Sequence, residues 1–205
     1  MSDLFVHQLY AALAPWSALT LLFLRRNPHP SRRRMVGSSL LSLLLLLLPL
    51  PIAWRGWSPI AWIFLLEPNP SFILTSLLSL ALLRRFGCNR LFSPDGWRAA
   101  WIFGCVASLI LYPMALGLTS LDTYSLGWKP ALTLVVALVA IILILRKNPF
   151  GVVLLTPFAG YLLRLQESRN FWDAILDPFY GGLSLIIVIV MIASWFRGHE
   201  GPDSV

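Results

Sequence analysis

The sequence predicts an all-α polytopic membrane protein, a transmembrane bundle of about seven spans with the amino end outside and the carboxyl end cytoplasmic. Three observations carry that expectation. The 205 residues are 58% hydrophobic and 12% charged, with a mean hydropathy of +0.75, whereas soluble chains run near ~45–50% apolar and ~25% charged. The apolar residues fall into runs near the ~20 residues that a spanning helix needs, separated by basic or turn-forming clusters. The basic residues alternate in density from loop to loop, the pattern that orients helices in a bilayer. So many spans leave no room for a soluble domain, and residues 1–205 are expected to form a single integral membrane domain.

The first run, Leu9 to Leu24, has Asp3 and His7 before it and five arginines after it. A secretory signal has the opposite polarity, so this run is expected to stay in the membrane. The second runs from Met35 to Trp54 and includes six consecutive leucines, Leu43 to Leu48, of the kind a lipid-facing helix tolerates. The third, Pro59 to Leu83, contains Glu67, Pro68 and Pro70. Proline cannot continue the helical ladder, so this span is expected to break at Glu67–Pro70 and resume at Ser71. The fourth to seventh runs are Ala99 to Gly117, Pro130 to Leu145, Gly151 to Leu163 and Tyr180 to Phe196. A short tail, 198–205, is expected to be cytoplasmic.

The net charge is +7, from sixteen Lys and Arg against nine Asp and Glu. Such a balance can mark nucleic-acid binding, but here the bases sit beside apolar runs, as topology determinants do, and anionic lipids are their expected partners. No nucleic acid is expected. With the amino end outside, 12 of the 16 basic residues fall in inner loops and only Arg55, Lys129, Arg164 and Arg169 in outer ones. Aromatics agree with that assignment: Trp54, Trp57, Tyr124, Trp128, Trp172 and Tyr180 fall at outer edges and Trp97, Trp101 and Trp195 at inner ones. Trp16 and Trp62 lie deeper and are expected to pack between helices. A bacterial inner membrane is the expected location of such a chain, no organellar signal being visible.

Chemistry is confined to a few places. Glu67 is a carboxylate within an apolar stretch, and a broken helix there would let it bind a cation or relay a proton as in small transporters. The alternative is that Pro59 to Leu66 lies flat in the outer interface and Glu67 turns the chain. Ser71, Thr75 and Ser79 form a small polar stripe, expected to be a helix-packing seam. The most polar stretch, residues 164–178, is expected to be an outer-face amphipathic segment. As one helix it would set Asp173 and Asp177 on a shared face, pair Glu167 with Arg164, and offer Arg164, Arg169 and Trp172 as contacts. Its carboxylates are candidates for acid–base work on a lipid-linked headgroup or glycan, or for a docking surface. The loop 118–129 adds Asp122, Tyr124, Trp128 and Lys129 on the same side, and Asp122-Thr123 before Gly127 and Pro130 also reads as ordinary turn chemistry.

No GxGxxG, P-loop, HExxH or GxSxG string occurs, and His7, His29 and His199 all fall in termini or loops. No metal and no cofactor is expected, and Cys88 and Cys105 lack the spacing of a metal or redox pair. The function expected on these grounds is that of an accessory subunit binding another membrane protein, within machinery that assembles envelope glycans or lipids. A small carrier using Glu67, and a headgroup or glycan transferase using the outer carboxylates, are the alternatives.

Overall fold

The structure is a computed structural model, and it describes residues 3–25, 30–47, 69–88, 91–118 and 120–199. Among the described residues every regular element is helical: α1 (Asp3–Leu24), α2 (Arg32–Leu47), α3 (Phe72–Arg85), α4 (Pro94–Ala115), a 3₁₀ turn (Tyr124–Trp128), α5 (Pro130–Leu145), α6 (Phe150–Val153), α7 (Thr156–Leu162), α8 (Phe171–Ile175) and α9 (Pro178–His199). Two of them are long and apolar enough to cross a membrane, Pro94–Ala115 with 22 residues and Pro178–Arg197 with 20. At 1.5 Å per residue each covers roughly the ~30 Å of a bilayer core.

Local chemistry sets the boundaries. Ser71 and Ser93 cap α3 and α4, their hydroxyls accepting from Leu74 and Gly96 N–H at 3.2 Å each. Prolines at 94 and 130 occupy the first helical turn, where their missing N–H costs nothing. Helices α3, α4, α5 and α7 end alike, with a residue of positive φ followed by an N–H that reaches back five residues. Glycine takes that conformation at 87 and 117, but Lys147 (φ 57°) and Arg164 (φ 52°) hold it with a side chain attached.

The run expected as one helix from Gly151 to Leu163 instead splits at Leu154–Leu155. Pro157 has no N–H to give the Val153 carbonyl, and the Thr156 hydroxyl serves that carbonyl at 2.8 Å. The third run resumes as expected, with Ser71 as cap. Glu67 and Pro59 to Leu66 lie outside the described residues.

Helix α4 lies along α9, and the two approach closely because small residues line the contact. A Cβ on Gly104 would fall 2.2 Å from Ser184 Oγ. Helix α1 packs on α2 and α3, α5 folds back on α6, and α3 also meets α7 and α8. The main core joins Phe72, Ile73, Leu77, Phe150, Phe171 and Tyr180, while a smaller cluster of Leu24, Met35 and Leu82 ties the carboxyl ends of α1 and α3 to the start of α2. Of the expected seam, Thr75 Oγ1 lies 3.3 Å from the Tyr10 hydroxyl of α1, while Ser71 caps α3 and the Ser79 hydroxyl donates to Thr75 O of its own helix. Trp16 packs between helices too, its Nε1 donating to Ser39 O at 3.1 Å.

Candidate functional site

At one end of the bundle the segment 69–71, the loop 118–129 and the stretch 163–177 meet. Its centre is Asp177, only 2% exposed. Leu176 is extended (φ −144°, ψ 131°), so α8 stops at Ile175 and Asp177 stands one residue before Pro178, the first residue of α9. One carboxylate oxygen accepts the Tyr180 N–H at 2.8 Å and caps α9; the other accepts the Ser71 N–H at 2.8 Å, at the start of α3. A single negative charge thus faces the positive ends of two helices.

The turn entering α3 is held from other sides as well. The Pro70 carbonyl accepts from the Tyr10 hydroxyl at 2.8 Å and from Gln166 Nε2 at 2.7 Å. Asn69 Oδ1 accepts the Glu167 N–H at 3.1 Å. Helices α1, α3 and α9 and the 164–177 stretch are therefore tied through three consecutive residues. A proline pair leaves a turn without its own ladder, and buried carbonyls there need such outside donors.

Next to this junction, Asn170 caps α8 by accepting from Trp172 N–H at 2.9 Å and donates to the Tyr124 carbonyl at 3.1 Å. Gly127 makes that approach possible, since a Cβ there would lie 1.6 Å from Asn170 Oδ1. Trp172 Nε1 donates to the Thr123 carbonyl at 2.8 Å. Asp173 accepts from the Tyr124 hydroxyl at 3.1 Å and from the Ser168 hydroxyl. Partial burial, then the nearby Asp173 charge and its hydrogen bond, raise the Tyr124 phenol above its usual 10.0. Asp122 caps the 3₁₀ turn, accepting the Ser125 N–H at 3.1 Å.

The sequence-based candidates fare unequally. Asp122, Tyr124, Trp128, Arg164, Glu167, Arg169, Trp172, Asp173 and Asp177 do come to one end of the molecule. The shared helical face for Asp173 and Asp177 is not formed, because the chain extends between them and they serve different partners. Trp172 is buried at 4% exposure, so it is a packing residue and not an outer contact. Glu167 does not pair with Arg164; among the described residues the one ion pair is Arg98 with Asp95. Glu167, Arg164, Arg169 and Trp128 are exposed. Gln166, Asn170 and Tyr10 were not anticipated, although Asn170 before an aromatic-acid run and Asp177 before Pro178 carry recognisable cap spellings.

Among the described residues no three His, Cys, Asp or Glu side chains gather in a way that could hold a metal ion. No family model, no curated protein and no solved structure matches the chain.

Proposed function

We propose that this chain is a seven-crossing protein of a bacterial inner membrane, amino end outside. Its role is to bind and position another membrane protein within machinery that builds or modifies the cell envelope. The use made of the outer acids carries the reading. Asp122, Asp173 and Asp177 each serve groups of the chain's own turns and helix starts. A headgroup transferase would need its acids to converge on a cleft. What these bonds build is a fixed platform, from which Leu121 (64% exposed), Tyr124 (38%) and Trp128 (61%) project. Exposed aromatics held on rigid backbone are the composition of binding surfaces.

The crossings rest on the 12-to-4 distribution of basic residues. In its favour, the loops expected outside meet one another and Asn148, expected inside, donates to Asp95 O at 3.4 Å; Tyr180, expected at the outer edge, is instead buried, donates to Ala100 O and lies 6.1 Å from Trp101, expected at the inner one. The short α6–α7 crossing reaches only about 20 Å, a mismatch that local thinning of the bilayer accommodates. Crosslinking in native membranes followed by purification in mild detergent tests the proposal. A stoichiometric membrane-protein partner is expected; a lone, monodisperse chain in several detergents would overturn it.

A further inference from the structure

Beside the polar junction lies a pocket of about 280 Å³, bounded by His7 of α1, the end of α7 and the loop that follows it. His7, Arg164, Gln166, Glu167, Ser168 and Arg169 supply its polar lining. Neither guanidinium has a carboxylate partner among the described residues. His7 Nε2 lies 2.7 Å from the Arg164 carbonyl, which ties the pocket wall to α1, and Arg164 itself is held at φ 52°. Among the described residues, two guanidiniums without an ion-pair partner stand against the single carboxylate of Glu167 in this lining, and the excess of positive charge marks a place for an anion.

A second cavity, about 370 Å³, runs between α1, α3 and α9. Ala11, Ala14 and Ala18 form one wall, Leu74 and Leu78 another, Phe179 a third, and no polar side chain lines it. His7, Ala11, Ala14 and Ala18 fall on one stripe of α1, at spacings of four, three and four residues. The stripe therefore leads from the cationic pocket into the apolar cleft, over about 16 Å of helix.

We propose that the two cavities form one site for an anionic phospholipid, with the phosphate of its headgroup against Arg164 and Arg169 and an acyl chain along the alanine stripe of α1. The charge selects the occupant: a non-ionic or cationic amphiphile would leave both guanidiniums unpaired, a zwitterionic phospholipid would bring its own ammonium to a cationic pocket, and a free phosphate would leave the cleft unfilled. The amide of Gln166 is spent on the Pro70 carbonyl, so the arginines carry the headgroup contact. Both arginines are exposed, where ion pairs are modest, and two together give a preference of up to about 30-fold over a zwitterionic lipid.

The site rests on the membrane reading above, and its test is kept separate from it. The full chain, purified in mild detergent, is mixed with equal phosphatidylglycerol and phosphatidylcholine of the same chain length, and the lipid retained is read by native mass spectrometry. One phosphatidylglycerol per chain is expected, at a preference of up to about 30-fold. The double variant Arg164→Gln, Arg169→Gln is expected to lose most of that preference while eluting and melting as the parent does. Ala18→Phe, which fills the cleft and leaves the arginines, is expected to lower retention of the two-chain lipid about tenfold and to leave its preference for the anionic headgroup intact. Equal retention of both lipids by the parent, an unchanged preference in the arginine double variant, or full retention in Ala18→Phe would each overturn the proposal. Labelling of Ser168→Cys by a membrane-impermeant thiol reagent in intact cells, with Cys88 and Cys105 replaced, reads the sidedness of this end independently of lipid binding.

Discussion

Replacing Asp177 by alanine removes one acceptor from two helix starts. Ser71 N–H and Tyr180 N–H, each 2.8 Å from a carboxylate oxygen, lose their partner together. Both sites are buried, and Asp177 is 2% exposed, so water does not replace the carboxylate without repacking. Hydrogen bonds to a charged group contribute about 1.5–3 kcal/mol each, so the pair amounts to roughly 3–6 kcal/mol, in the range reserved for the loss of a buried network. For a chain of this size a loss near the lower bound lowers the melting temperature by about 6–12 °C. Asp177→Asn keeps the shape and one acceptor oxygen but turns an amide N–H₂ toward the other donor, and roughly half of the loss is expected. The assay is apparent melting in mild detergent, followed by size-exclusion chromatography, with exposed Glu167→Ala as a control that stays within about 0.5 kcal/mol of the parent. An Asp177→Ala protein that melts within about 2 °C of the parent would refute the double cap. An Asp177→Asn protein of parental stability that no longer co-purifies with a partner would move Asp177 from architecture to recognition.

Gly127→Ala drives a Cβ onto Asn170 Oδ1, 1.6 Å away, and is expected to cost about 1–3 kcal/mol in apparent stability by displacing the Asn170 cap. Lys147→Gly relieves a positive φ of 57° at the end of α5 and is expected to raise stability by about 0.5–1 kcal/mol; a loss would mean that the Lys147 side chain makes a needed contact. Tyr124 has its phenol raised above 10.0, so the fold favours the neutral form, and the stabilisation is complete below pH 10 and lost as pH rises through the higher folded value. Tyr124→Phe is therefore expected to melt nearly as the parent at neutral pH and to flatten part of the alkaline loss, read as melting temperature from pH 8 to 12. Leu121→Ala with Trp128→Ala is expected to reduce partner co-purification at least tenfold at unchanged melting temperature; unchanged co-purification would remove this surface from the partner reading.

Much of the helical layout was legible because apolar runs and their punctuation are local signals. The resumption of the third run at Ser71, the packing of Trp16 against α2 and the contact of Thr75 with α1 follow from proline, depth and spacing. What escaped depended on pairing at a distance. The 164–178 stretch looked amphipathic as one helix, yet a buried carboxylate gains more by capping two helices than by continuing one, and Leu176 extends to deliver it. Trp172 has the composition of an interfacial anchor, but its indole N–H finds the Thr123 carbonyl inside the chain, 49 positions away. The split at Leu154–Leu155 was available from Pro157 alone, since the proline removes the donor for Val153 O. Glu167 and Arg164 have the right spacing for an ion pair, but the positive φ of Arg164 turns the chain away from the helix on which that spacing would bring them together.

The position of the polar junction has an energetic reason. Many of the apolar side chains of α5 and α9 face outward, Leu134 at 67% and Ile189 at 64% exposed among them. In a bilayer such side chains would gain little by turning inward, and helix association would rely on close packing of small residues and on buried hydrogen bonds. The chain uses the first along α4 and α9, where Gly104 and Gly181 let Ser184 and Ser108 approach. It uses the second at one end, where Tyr10, Gln166 and Asp177 gather α1, α3, α9 and the 164–177 stretch around Pro70 and Ser71. Cross-linking those elements at their ends fixes the loops between them. A loop fixed before binding loses less entropy when a partner arrives. The same acids hold the loop that carries exposed Leu121, Tyr124 and Trp128, which is the surface the partner proposal assigns. Rigidity of this end of the bundle is what their hydrogen bonds serve, since each carboxylate accepts from a donor of the chain's own turns and helix starts.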